Sequence, residues 1–427
     1  MGVVNEIIKD VPIPRMVKIK QSFERTCLED ISGEVLKQLN VEKVKEQLRP
    51  GDKIAVAVGS RGIYQHALVV KTVVDFLKTC GTEPFIVAAM GSHGGATVEG
   101  QKSILDGYGI TEEYCGCPVK IGKESWLIGQ TEDGNPVYID QYAAKADGIV
   151  IINRIKPHTA FRGPYESGLM KMLAIGLGKQ KGAEACHLAG FENMAENIPK
   201  FGRAVLKNAK ILFGVALLEN AYDRTREIVV LTGNEIEKEE PELLERAKSY
   251  MPKILIEHAD LLIVEQIGKN FSGDGMDPNI AGTFATKCAS GGLDTQRVAV
   301  LDISDESHGN GVGFGMADVS TQRAYKKFDF EMSYPNALTC LVSQVVKVPM
   351  IFDTDKNCIK AGIKLCANIN YSDARVILIY NTLRMDEMYI SESLLEQASF
   401  TEGIEIIGHP EQMVFDDMGN LVSMKEE

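Results

Sequence analysis

Short apolar runs of strand length recur along the 427-residue chain, and most pass through a polar loop into a segment with helical spacing. DKIAVAVGS ends in Ser60, Arg61 and Gly62, after which HALVVKTVVDFLKTC carries helical periodicity from His66 to Cys80. The unit repeats at once: EPFIVAAM reads as a strand, GSHGGAT as a glycine-rich loop holding His93, and VEGQKSILDGYG as a helix. After an irregular stretch with the only tryptophan, Trp126, a buried-type strand, ADGIVIINRI, delivers the chain into Lys156, Pro157 and His158. ILFGVALLEN is a further strand, followed by a charged helix from Glu235 to Met251. A second series then has ADLLIVEQIGKN, QRVAVLDISDESHG and ARVILIYN as strands.

This alternation predicts two α/β domains with largely parallel sheets and an active site in the cleft between them. The expected division is 1–252 for the first domain, which includes an opening β segment (MVKIKQSF), and 253–402 for the second. A closing segment, 403–427, around the strand-like EGIEIIGH, can return to the first domain. In open α/β sheets ligands collect outside the carboxyl ends of parallel strands, where loops and helix N-termini converge. Arg61, His93 and His158 are therefore expected to be neighbours, provided their three strands are parallel and adjacent.

Composition narrows the function. Hydrophobic residues at 44% and charged residues at 25% describe a chain that folds throughout. A net charge of -13 without basic runs argues against a nucleic-acid partner, since phosphate binding needs local Lys/Arg stripes. No apolar run approaches the length of a membrane span, and MGVVNEIIKD lacks the pattern of a secretory signal, so a cytoplasmic protein is expected. Nine cysteines without CxxC pairs suggest reduced thiols rather than a disulfide framework or a cysteine-rich zinc site.

The candidate chemistry gathers between Arg154 and His187. A lone His93 could be a turn residue, but an imidazole between glycines at a strand end suits proton exchange with a closely approaching substrate. His158 after Pro157 could mark a rigid turn, or could oppose His93 across a substrate whose stereocentre must be made in both hands. Lys171 sits among apolar residues, where an ammonium is costly to hide unless it is paired, snorkelling or chemically used. His187 reads as a core histidine or a metal ligand. Arg61 could cap a helix surface, or serve as a fork for a carboxylate or phosphate, and Gln266 and Lys269 hold the equivalent edge of the second domain. GLGKQKG lacks the GxxxxGK[ST] order of a phosphate loop.

Taken together, these segments resemble the nickel-dependent lactate racemase family over about residues 10 to 410. The resemblance rests on GSRG with Arg61, GSHGG with His93, the Pro157–His158 pair, ESGLMK with Lys171, His187 sixteen residues beyond that lysine, and Gln266 with Lys269. It implies a racemase or epimerase of 2-hydroxy acids, in which Arg61 binds the substrate carboxylate and His93 and His158 are the two acid/base groups. Lys171 would carry a nickel-pincer nucleotide through a thioamide, the pyridinium-3-thioamide-5-thiocarboxylate mononucleotide. His187 would complete a square-planar Ni(II) set, and Gln266 and Lys269 would contact substrate. Hydride would leave C2 for the pincer ring and return to the other face of a planar 2-keto acid. The implied partners are a small 2-hydroxy acid and the proteins that make the cofactor.

The stretch between His158 and Lys171 is a few residues longer than in the lactate enzymes. Met170 and Gly94 stand where those enzymes have arginines. These differences surround the substrate and imply a 2-hydroxy acid other than lactate, larger or more polar. Two other classes fit the same residues: a nickel-free protein that binds a hydroxy acid or nucleotide, and an enzyme using Lys171 as a Schiff base.

Overall fold

The structure, a computed structural model, describes residues 2–422. The chain forms two compact units: one spans 24–251, and the other combines the residues up to 23 with those from 252 onward. Both are mixed α/β with largely parallel sheets.

In the unit spanning 24–251, the strands are β1 (Lys53–Val58), β2 (Glu83–Ala88), β3 (Val119–Lys120), β4 (Gly148–Arg154), β5 (Ile211–Glu219) and β6 (Thr225–Thr232). They lie in the spatial order β3-β2-β1-β4-β5-β6, parallel except for β6. Val58 pairs with Ala88 on one side and Ile152 on the other, so β1 and β2 end level and β4 runs two residues further. The chain builds β2 on one side of β1 and then crosses to place β4 on the other. That reversal opens a crevice at the carboxyl ends of the strands.

Four helices of this unit matter to the site: α1 (His66–Thr79), α2 (Val98–Gly107), α3 (Lys179–Leu188) and α4 (Gly233–Tyr250). Helix α1 turns Val69, Val70, Val73, Val74 and Leu77 onto Ile54, Val56 and Val58 of β1, all fully buried. Each such side chain removed from water contributes about 1.5–3 kcal/mol, which makes this layer a rigid floor for the loops above it. Trp126 lies on a small two-stranded hairpin, Ser125–Gln130 with Pro136–Asp140, where sequence periodicity gave no signal.

The second unit has a parallel core, in which His258–Ile267 lies between Asp294–Ile303 and Val376–Ile379. Its antiparallel side corrects the expected domain boundaries. The opening strand Met16–Gln21 runs between Glu387–Ser391 and Ile404–Ile406, so the first 23 residues belong here and not to the first domain. The strand around 404–406 joins this same sheet rather than returning to the first domain. The cause is visible in the alternation of MVKIKQ, which buries Val17 and Ile19 with Met388 and Ile390. Gln21 closes the arrangement by donating to the carbonyls of Lys253 and Met385 at 3.1 and 2.8 Å.

All nine cysteines are free thiols. No helix among the described residues is long and apolar enough to cross a membrane.

Candidate active site

Three loops leave the carboxyl ends of β1, β2 and β4, and they carry Arg61, His93 and His158. The β1 and β2 loops are joined directly by a hydrogen bond between the Ser60 hydroxyl and Nδ1 of His93. The Tyr108 hydroxyl donates to the Ser60 carbonyl at 2.9 Å, and Arg61 next in sequence is exposed. Glycine is required in the β2 loop: Gly94 has φ +65°, and a Cβ there would stand 2.7 Å from the backbone nitrogen of Gln101.

His158 opens a closed loop of its own. Lys156 and Ser167 exchange backbone hydrogen bonds at 2.8 and 3.0 Å, pinching off residues 157–166. The buried Glu166 carboxylate sits at the neck. It accepts the His158 N–H at 2.7 Å, lies 3.4 Å from Arg162 and pairs with Lys248 at 3.1 Å. The Phe161 ring stacks on the imidazole with centroids 4.3 Å apart. The Ala160 N–H donates to Nδ1 at 3.0 Å, which fixes Nδ1 as an acceptor and puts the proton of the neutral ring on Nε2.

Burial drives the His158 pKa well below the ordinary histidine value, and the charges of Lys171, Arg61, His187 and Arg162 push it the same way. Three of the residues singled out in the sequence, Arg61, Lys171 and His187, are thus near enough to act on His158. His93 is tied in through Ser60. The arrangement concentrates positive charge around an imidazole that stays neutral, which suits an anionic substrate.

Lys171 ends the short helix Leu169–Lys171, and a π-helical turn, Met172–Gly176, follows it. Such turns displace the hydrogen-bond ladder by one residue and re-aim the side chains beside them. The segment is fixed from three sides. Asn153 at the end of β4 donates to the Gly168 carbonyl at 2.8 Å, and Gly91 of the His93 loop donates to the Gly176 carbonyl at 3.0 Å. Glu240 of α4 accepts the Met170 N–H at 2.8 Å. Any side chain at Gly168 would collide with the Glu240 carboxylate. Burial pushes the Glu240 pKa up to about 8, against the lowering effect of the two backbone amides it caps.

His187 lies near the end of α3, half-buried, as is Lys171. Cys186 beside it is fully buried, and burial pushes its thiol up to about 12, so it is an inert neighbour. Among the described residues no group of three or more His, Cys, Asp or Glu side chains could enclose a metal ion. The amine of Lys171 and the imidazole of His187 are donors of the kind that could hold a metal-carrying organic group.

Gln266 and Lys269 belong to the other unit, at and just beyond the carboxyl end of His258–Ile267. The Tyr380 hydroxyl donates to Gln266 at 3.0 Å, and the Lys269 ammonium donates to the Gly273 carbonyl. Sequence reasoning missed Glu240, Gln101, Glu166 and the buried Lys179. Lys179, in the GLGKQKG stretch, turns inward and away from any phosphate-loop role.

The adjacent parallel strands, the closed histidine loop and the lysine just before the π-helical turn define an α/β protein with an imidazole and amine centre at a topological switch point. Residues 8–198 match the family model Lar_N, the lactate racemase N-terminal domain. Over that stretch the chain is similar to the lactate racemase N-terminal domain. Its fold is similar to that of the lactate racemase apoprotein from Thermoanaerobacterium thermosaccharolyticum, with 13% identity, a TM-score of 0.53 and coverage of 86% of this chain and 98% of that one. A Thermotoga maritima structural-genomics protein aligns with 15% identity and a TM-score of 0.50, over 74% of this chain and 82% of its own. No curated protein matches the chain by sequence.

Proposed function

We propose that this protein racemises or epimerises a 2-hydroxy acid other than lactate, using a nickel-pincer nucleotide tethered to Lys171 with His187 as its protein ligand to nickel. The observation that carries this reading is the convergence of Arg61, Lys171 and His187 on the neutral His158, with His93 joined to the Arg61 loop through Ser60. When bound, the group supplies a reversible hydride acceptor beside the substrate carbon. The remaining work falls to side chains.

Arg61 takes the carboxylate, since a charge-assisted fork fixes both position and orientation. His93 and His158 exchange the hydroxyl proton, one for each hand of substrate. Their settings differ. In the observed hydrogen bonding the neutral His158 carries its proton on Nε2 and can hydrogen-bond with it to substrate oxygen, while taking up a proton there requires the Ala160 contact to open. His93 meets a hydroxyl, which can donate or accept, so its ring can change tautomer without losing its partner. The closed 157–166 loop, with Phe161 on the ring and Arg162 2.6 Å from the His158 carbonyl, supplies the wall next to this base.

Two family differences fit the packing. Met170 is fully buried, and its Cε would lie 2.6 Å from a Cβ at Gly202, while Gly94 sits where any side chain meets backbone. Neither position has room for the arginine of the lactate enzymes, which supports a different substrate. Incubating cofactor-loaded protein with single enantiomers of a panel of chiral 2-hydroxy acids tests the proposal. Loss of optical purity for one of them is expected, and retention across monoacid, diacid and aromatic members would overturn it.

A further inference from the structure

We infer that Gln101 and Lys179 are positioning residues for His93, an inference that rests on the proposed reaction. Gln101 lies on α2 and is 2% exposed. Its amide nitrogen donates to the carbonyls of Gly91 and His93, both at 3.3 Å. Its carbonyl oxygen accepts from the Lys179 ammonium. That ammonium also donates to the carbonyl of Ala88, the last residue of β2, at 3.1 Å, and stands 3.7 Å from the Asp140 carboxylate. Lys179 is 3% exposed and Asp140 is fully buried.

A buried ammonium is tolerated only where carbonyls and a carboxylate replace its water, so these groups hold together or not at all. Lys179 also has φ +56°, left-handed backbone that a residue with a side chain seldom adopts. Such a conformation persists where surrounding contacts over-determine it. The end of β2, the His93 loop and the first turn of α3 therefore meet on one ammonium, and the last turn of α3 carries His187. Gln101 transmits this anchor to the backbone on either side of Ser92 and so sets the direction from which the His93 ring meets Ser60. Neither residue supplies a group to the reaction. They act through the loop, whereas simple core cement would leave the imidazole unaffected in protein that remains folded.

The test uses the full chain with 15N-labelled histidine, with the His93 signals assigned by their loss in His93→Gln. Gln101→Glu keeps an acceptor for Lys179 and removes the N–H donors to the loop. The expected result is a shift of the His93 ring nitrogen resonances, with the other histidines unmoved. In cofactor-loaded enzyme kcat should fall about tenfold or more while KM stays within about twofold, as for a misplaced catalytic group. Lys179→Met with Asp140→Asn removes both buried charges together and serves as the second variant, with a smaller shift of the same signals expected. Unmoved His93 resonances in folded Gln101→Glu protein overturn the inference, whatever happens to its melting temperature. The resonances need no cofactor, so they decide the matter even if wild-type enzyme fails to racemise any acid, which would count against the reaction instead.

Discussion

The backbone N–H of Met170 donates to the carboxylate of Glu240 at 2.8 Å, which ties the residue before Lys171 into the interior of helix α4. A buried acid thus caps the turn that presents the proposed cofactor anchor. Seventy positions separate the two residues, and the glycine that admits the carboxylate, Gly168, carries no sign of its partner in sequence.

This pairing predicts a pH dependence. The unfolded chain releases the Glu240 proton near the ordinary value of 4.5, while the folded chain keeps it to about 8. Stability from this group is therefore full below pH 4.5 and declines as pH rises through that window, by about 1.4 kcal/mol per pH unit. Glu240→Gln abolishes the decline, so its unfolding free energy should gain on the wild type between about pH 5 and pH 8. Denaturant titrations in which the difference stays constant over that range contradict the protonated cap.

His66 predicts the opposite slope. It is 3% exposed, neither ring nitrogen has a hydrogen-bond partner among the described residues, and burial, aided by the charge of Arg154, lowers its pKa to about 4. The unfolded chain takes up a proton near 6.5 and the folded chain only near 4, so stability falls as pH drops between them, by about 3 kcal/mol in all. His66→Leu should gain on wild type over that interval and stay level above pH 7. A thermal-unfolding difference that ignores pH counts against the buried neutral ring.

For the acid/base pair, His93→Ala or His158→Ala should lower kcat for racemisation by about 10²- to 10⁴-fold, the usual contribution of positioned proton transfer. Either variant racemising at a near-normal rate removes that histidine from the mechanism.

Arg61→Ala should act chiefly on substrate capture. Loss of a charge-assisted pair worth about 1.5–3 kcal/mol corresponds to a drop of roughly ten- to hundredfold in kcat/KM, most of it in KM. Unchanged kinetics exclude the carboxylate role.

Much of the site was legible because its residues sit where local pattern ends. The apolar runs 53–58, 83–88 and 148–154 are strands, as their composition predicts, and they are parallel neighbours with Arg61, His93 and His158 in the loops beyond. What escaped depends on long-range pairing. The strand Met16–Gln21 finds its partners at 387–391 and 404–406, and no local signal links segments so far apart. Thr225–Thr232 pairs antiparallel with β5, and the helical pattern after it masked the strand. The GLGKQKG stretch, already without the order of a phosphate loop, gave no sign of the inward turn of Lys179, which rests on Gln101, Ala88 and Asp140, three partners brought from distant positions.

In the proposed reaction Lys171 anchors a metal-carrying group that His187 completes. Intact-protein mass and metal analysis of chain produced together with the cofactor-synthesis proteins tests it most directly. The expected result is a covalent adduct that peptide mapping places on Lys171, with nickel in equal proportion, and loss of nickel but not of the adduct in His187→Ala. A bare Lys171 in protein made under those conditions would contradict it.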